Sequence, residues 1–535
     1  MTVHKLSAGD GYAYYTSEVA SADELRAEGR ELGDYYTVEG MPPGQWVAHS
    51  EALLGVSGEV TEAQMAALFG EGIRPDADRI LAAGGTQADV ALGQKFHKYT
   101  QANTELTRRL DEEIARHERT TGAAPTREER QAIRGRVGGQ LFRETHGRDA
   151  RDKEELGRFI TAQTTPKQQT VAGYDLVFSP AKSISLLWAL GGDEARKAVE
   201  TAHNEAIAET LSFLEQEGTY TRRGRNGVRQ IDVEGGLVAT QFRHYDSRNG
   251  DPQLHDHVVI ANKVKGADGK WSSLDGRTLY RMNVAASETY NAKVMEKVTA
   301  SLGVAATPRM AGGDEPIYEI AGVDLDAIHH ASSRRADIAG TVDRLHAEFT
   351  DRHGYAPNAK QKIALAQQAT LESRPAKKSA RRLSELVEDW GKEYGQQVKM
   401  PVGDKLLAHV RTAANGLPTG PDATQINVSE HARLVVHELS QKRSTWSVNH
   451  VQAQTRRHLK EAMIGRTVPD ELVAEVVKEA TGTHSLSVTP QADVPHLAEF
   501  TRADGTSQFI RSDAHVYTSR EVLETEHQVL AAAQR

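Results

Sequence analysis

The chain of 535 residues has no cysteine at all. Disulfides and thiolate metal sites are therefore excluded, and the composition fits a reducing compartment. It also lacks any apolar run of about 18 residues, and it does not begin with a charged-then-apolar leader, so neither a membrane span nor a secretory signal is expected. Positive charge is not in excess: 65 Lys and Arg stand against 74 Asp and Glu, a formal net charge of −9. Such a chain does not coat a polyanion along its whole surface, and any contact of that kind must come from local basic patches. No GxxxxGKS or GxxxxGKT phosphate loop occurs, so no ATPase is expected. What is present is a globular composition, 38% hydrophobic and 26% charged, long enough for roughly two to four domains.

Against these absences, the stretch from Gln241 to Val264, QFRHYDSRNGDPQLHDHVVIANKV, carries the most chemistry. Strand side chains alternate between faces, so His255 and His257 share a face with Val259, while Asp256, Val258 and Ile260 take the other. The preceding run has the same period and puts Val238, Thr240, Phe242 and His244 on one face. Between them, SRNGDP is built of turn formers that can reverse the chain. If the two strands pair, the three imidazoles converge on a borderline site for a divalent ion, with positions left open for substrate oxygens. With 22 His in 535 residues, a His-x-His is expected about once by chance. A third His ten intervening residues upstream lowers that expectation to about 0.04. Satisfied core or surface histidines are the plainer alternative.

Tyrosine is concentrated at the start. Tyr12, Tyr14, Tyr15, Tyr35 and Tyr36 fall within 36 residues, where 15 in 535 predicts about one. Packing of an edge strand accounts for any single one of them. The two Tyr-Tyr pairs, in YAYYTS and GDYYTV, sit beside glycine or small polar residues that keep a hydroxyl reachable. A phenol is a poor nucleophile at neutral pH until a base or a metal-polarised electrophile assists it, so a tyrosine cluster and a histidine metal site form a coherent set.

Gly173 to Gly192, GYDLVFSPAKSISLLWALGG, reads as a strand, a helix start at Ser179-Pro180 and a stop at Gly191-Gly192. Asp175 shares a strand face with Val177 and Ser179. There it can take the Nδ1 proton of a ligating histidine or lie beside a nucleophile, or it is simply an exposed strand residue. Lys182 and Ser183 either meet a phosphate at the helix start or are ordinary first-turn residues. An amphipathic helix over 193–217 leads into a basic hairpin tip with Arg222, Arg223, Arg225 and Arg229, either a solvated loop or a phosphate-backbone contact. Residues 86–167 are polar, charged and mostly helical, and their charges are read as a solvated face before a DNA contact.

AGDGYAYYT, GDYYTVEGMPPGQWV, GYDLVFSPAKSIS and HYDSRNGDPQLHDHVVIANKV, in this order, resemble the signature of the F-type (MobF, TraI/TrwC-like) conjugative relaxases of the HUH endonuclease superfamily. The resemblance covers roughly residues 1–75 and 170–400. It departs from shorter members by the helical insertion at about 86–167, and by the 21 residues from Tyr14 to Tyr35. It implies an α/β (α+β) fold, a two-layer antiparallel sheet with helices, and nicking of one plasmid strand at a transfer origin. By position it implies the ion on His244, His255 and His257, with Asp175 as the acid beside the nucleophile. Tyr14 would attack the phosphorus and stay joined to the DNA 5′ end, and Tyr35 would serve a second transesterification, with Tyr15 and Tyr36 close behind. A divalent ion is implied, Mg or Mn before Zn or others, and no nucleotide. Single-stranded and origin DNA would run along a groove lined by Arg222 to Arg229 and Arg248. Relaxosome accessory proteins and the type IV secretion machinery are implied as partners of a monomeric, cytoplasmic protein that is carried with the DNA into the recipient cell.

Downstream, 270–279 reads as strand and turn, 283–302 as a long helix, 317–323 as a strand and 324–350 as helix. A basic run holds Lys377, Lys378, Arg381 and Arg382. The nicking domain, 1–400, is expected to end in a looser stretch over 401–422. Residues 401–535 are read as a mainly helical linker, with 501–518 strand-like and a closing helix opened by a Thr518/Glu521 capping box. A chain that ends inside a helix suggests a truncation, and the resemblance implies that this tail is the approach to a DNA helicase. Three alternatives stay open: a rolling-circle replication initiator of the same chemistry, a cupin-type metal oxygenase, which would need no tyrosine cluster, and a structural DNA-binding module, which would need neither metal nor tyrosines.

Overall fold

The alternating residues from 238 to 261 form the two central strands of the sheet, and the other strands are laid on either side of them. A computed structural model describes residues 1–16, 42–97, 104–122, 125, 127–164, 170–311, 313, 315–375, 381–490, 494 and 497–534. The main sheet runs β1 (Thr2–Ser7), β3 (Val171–Phe178), β7 (Pro252–Ala261), β6 (Val238–Asp246), β2 (Gln45–Ala48) in spatial order. Every neighbouring pair is antiparallel.

Alternation assigns the two faces. Leu176, Phe178, Ala239, Leu254, Val258 and Ile260 pack into the main core. There they meet the helices that follow β3: α2 (Lys182–Leu190), α3 (Gly192–Gly218) and, further on, α4 (Gly276–Leu302). Ala172, Val238, Phe242 and Val259 face the other way, against Leu6, Tyr15, Trp46, Met65 and Phe69 of the N-terminal segments. One of these contacts depends on glycine, since a Cβ on Gly44 would lie 2.3 Å from the Phe242 ring. The result is an antiparallel sheet with a helical layer on one side and a thinner cover, ending at the short helix Ala13–Thr16 (α1), on the other.

The insertion forms three helices, Glu105–Thr121, Arg127–His146 and Lys153–Thr164. They close on a small core of their own made by Leu106, Ile133, Val137, Leu141 and Ile160. Its charges largely pair within the bundle, as Arg108 does with Glu105 and Glu112. Beyond α4 come α5 (Ser333–His353), α6 (Leu383–Glu393) and α7 (Asp404–Ala414). Helices Val428–Ser440, Val448–Ala462 and Asp470–Gly482 share a separate core. Among the described residues no helix is long and apolar enough to cross a membrane.

Several expected elements change. The stretch 401–422 is not loose in its first half: α7 sends Leu406, Leu407 and Val410 into the main core. The apolar spacing there was masked by the flanking Pro and Gly. The helix expected from 283 begins at Gly276, and 324–350 divides into Leu325–His330 and α5. Residues 501–518 are mostly turns, with an isolated bridge between Thr501 and Ser507 and only Tyr517–Thr518 in a strand. The closing helix is capped one residue later than expected, by Ser519, whose side chain accepts from Val522 N.

Candidate active site

Pairing of β6 with β7 sets His244 directly opposite His255 and Phe242 opposite His257. The ring centroids of the three histidines lie 4.9–5.5 Å apart, and each offers a ligand nitrogen within 4.8 Å of the others. The register shifts just after His244, so that Asp246 meets Pro252. One extra residue on β7 bends the strand where the imidazoles must meet, as bulges beside functional sites do.

The tautomers suit a metal. His255 Nδ1 lies 3.0 Å from the Gln253 carbonyl, an acceptor only, so Nδ1 carries the proton and Nε2 the lone pair. His257 Nδ1 donates to Asp175 at 2.8 Å, which again leaves Nε2 as the ligand nitrogen. Burial draws the His255 imidazole down to about 4, so it is neutral at pH 7. Three imidazole nitrogens on rigid strands, with those of His255 and His257 oriented by a second hydrogen bond, fit a divalent cation with open coordination positions.

Asp175 is on β3, and its carboxylate lies under the N-terminal tyrosines. The first pair divides sharply. Tyr15 is 5% exposed, stacked on Phe242 with centroids 5.4 Å apart, and bonded to Asp175. Burial and the adjacent Asp175 carboxylate push its phenol far above the usual range. Tyr14 is 38% exposed, with its ring centroid 6.1 Å from that of His257. One tyrosine is therefore locked as a hydrogen-bond donor, and its neighbour faces solvent beside the imidazoles. Tyr35 and Tyr36 lie outside the described residues.

The basic candidates separate by position. The hairpin β4 (Tyr220–Arg223) and β5 (Arg229–Asp232) precedes the Val238 end of β6. His244 is six residues further along that strand, or about 20 Å. Arg223 is held by Asp268 at 2.7 Å, Arg222 lies 3.7 Å from Asp275, Arg229 stands over the Phe500 ring at 4.9 Å, and Arg225 is exposed in the turn. Lys182 donates to the Pro252 carbonyl at 3.2 Å, and burial lowers its ammonium to about 8. The adjacent Ser183 N–H is taken by Glu319. Arg248, in the β6–β7 turn, is on the side of the imidazoles. With it comes a residue that sequence reading missed, Arg374, whose guanidinium is lowered by burial and by the positive field of Arg248, and which interacts with Tyr14. The signal was present as the first base of the run continuing to Lys377 and Lys378, which themselves fall outside the described residues.

The chain whose sheet gathers three imidazoles, an acid and a paired phenol fits the family model of the TrwC relaxase over residues 8–397, and it belongs to that family. It is thus a relaxase of the MobF type. Among relatives, the multifunctional conjugation protein TraI of Escherichia coli is 34% identical over 177 residues, a match covering 31% of this chain and 10% of that protein. TraI of Escherichia coli strain K12 is 33% identical over 177 residues, with the same shares. The match thus spans about a tenth of the length of these curated relatives. Among solved structures, the conjugative relaxase TrwC with oriT DNA in copper-bound form aligns with a TM-score of 0.41 and 22% identity, covering 74% of this chain and 97% of that one. Its metal-free complex gives 0.40 and 22%, covering 74% and 98%.

Proposed function

We propose that this chain nicks one DNA strand at a plasmid transfer origin by metal-assisted tyrosine transesterification. The observation that carries this reading is the position of Tyr14, exposed beside three converging imidazoles, while its neighbour Tyr15 is buried against Asp175. The Tyr14 oxygen bonds the scissile phosphorus as the bond to the 3′ oxygen breaks. The proton lost by the phenol is balanced by the one the departing 3′ oxygen takes up. One phosphodiester is exchanged for one phosphotyrosyl ester on the 5′ end, so the step is close to reversible. A bound divalent ion would polarise the phosphate oxygens and stabilise the charge on the leaving oxygen. Asp175 orients His257 and, through Tyr15, fixes the turn that presents Tyr14. Arg248 and Arg374 are placed to hold phosphates next to the break. Contacts from Arg222, Arg223, Arg225, Arg229 or Lys182 would fall on DNA away from the scissile bond or not at all. Tyr35, with Tyr36, is assigned the second transesterification.

The all-nitrogen donor set favours manganese, zinc or another borderline ion over magnesium, which prefers oxygen ligands. Residues 1–400 would form the nicking domain with its insertion at about 86–167, α7 would complete its core, and the rest of 401–535 would be a mainly helical continuation. A cytoplasmic monomer that meets accessory proteins and a secretion channel completes the reading. The test is incubation with single-stranded origin DNA and Mn²⁺. A nicking enzyme yields a protein–DNA adduct that survives denaturant, and mass spectrometry of that adduct should find the nucleotide on Tyr14. Adduct on another tyrosine, or none, would refute the assignment.

A further inference from the structure

Behind the imidazoles, on the helix-facing side of the same two strands, lies a buried polar cluster that the nicking chemistry does not use. Asp256 sits between His255 and His257 in the chain, and its side chain points to the opposite face, where it is 0% exposed. Directly across the ladder is Arg243, the neighbour of His244. Its Nε and Nη2 each donate to Asp256 at 3.0 Å, and Gln241 Nε2 donates to the same carboxylate. From α3, His203 brings Nε2 within 3.2 Å of Asp256 Oδ1, and Asn204 accepts from Arg243. His203 Nδ1 lies 2.8 Å from the hydroxyl of Tyr290 on α4, and both of these side chains are fully buried.

The residues around Asp256 on this face are Leu254, Val258 and Ile260, all in the apolar core. An apolar side chain at 256 would pack there with less desolvation, since buried ion pairs seldom outperform hydrophobic replacements in stability. The pair occupies the rung between His244–His255 and Phe242–His257. A slip of one residue between the strands would turn His255 and His257 away from the face of His244, and a guanidinium–carboxylate fork is satisfied in one register. We propose that Arg243 and Asp256, backed by His203, are positioning residues for the metal centre: they fix the strand register and the angle from which the three imidazoles reach a common ion. This deepens the function proposed above and rests on its metal reading.

The test is Mn²⁺ affinity of the whole chain, measured by calorimetry without DNA, in two variants. Asp256→Asn keeps the shape and removes the charge that Arg243 grips. The double variant Arg243→Leu with Asp256→Leu replaces the pair by apolar bulk and is expected to keep its melting temperature. Affinity should fall about 10- to 100-fold in the double variant and several-fold in Asp256→Asn, with affinity for a single-stranded oligonucleotide unchanged in both. Undiminished Mn²⁺ affinity in either variant, once circular dichroism shows it folded, overturns the proposal, as does a wild-type chain that nicks DNA without taking up Mn²⁺. A chain that shows the expected losses but never cleaves DNA removes the nicking reading and leaves this one standing.

Discussion

The two hairpins that follow one another in the chain, β4–β5 and β6–β7, both concentrate side chains able to meet a phosphate, yet the fold uses them differently. In the first, Arg223 is forked onto Asp268 and Arg229 lies on Phe500, so their charge is largely met within the protein. In the second, each hydrogen bond made by His255 and His257 through Nδ1 turns the other nitrogen toward a shared point. Internal partners in the first hairpin answer a charge, and in the second they aim a lone pair. A side chain's partners therefore say more about its use than its type does.

Four substitutions sharpen or break this contrast. Tyr14→Phe removes the oxygen proposed to attack and should lower covalent adduct by about 10³-fold or more, with single-stranded DNA binding unchanged in a filter assay. Residual adduct near wild-type level would move the chemistry to another phenol. His255→Ala opens the proposed metal centre and should cut the cleavage rate by roughly 10²- to 10³-fold, corresponding to several kcal/mol of transition-state stabilisation. DNA affinity should largely persist, because phosphate and base contacts do the holding. An equal loss of binding would make the ion structural. Tyr15→Phe leaves the ring on Phe242 but deletes the bond to Asp175, and a hydrogen bond to a charged group is worth about 1.5–3 kcal/mol. Roughly a 10-fold or somewhat larger loss in kcat with KM little changed is expected from single-turnover and steady-state kinetics. Arg223→Ala should have the smallest effect, under about 1 kcal/mol in urea unfolding, with nicking intact. A large fall in cleavage there would erase the distinction between the hairpins.

Much of the centre was legible in the chain because strand alternation is rigid: the period of two placed His244, His255 and His257 on one face and Asp175 on a neighbouring strand could follow. The division of labour between Tyr14 and Tyr15 was not legible. Adjacent residues in one turn of helix α1 look equivalent until the Phe242 ring and the Asp175 carboxylate, supplied from more than a hundred residues away, bury one of them. The shift of register between His244 and Asp246 was hidden for a similar reason, since an extra residue in a strand leaves the local pattern of turn formers unchanged. Arg374 was legible only as the first base of a run, because the Arg248 and Tyr14 that it meets are far away in sequence. The helix Asp404–Ala414 was obscured by its Pro and Gly neighbours, although its buried leucines carry the ordinary spacing.

The turn of the histidine hairpin is braced from far downstream. Ser333 donates to Asp251 at 2.7 Å, Asn249 to Asp337 at 2.7 Å, and Trp390 Nε1 to the Gly250 carbonyl at 2.8 Å. All three histidines of that hairpin have left the ribosome before any of these braces has been synthesised. A nascent chain thus carries these imidazoles early and tightens them late, so that the proposed grip on a cation should mature only once residue 390 has emerged and docked.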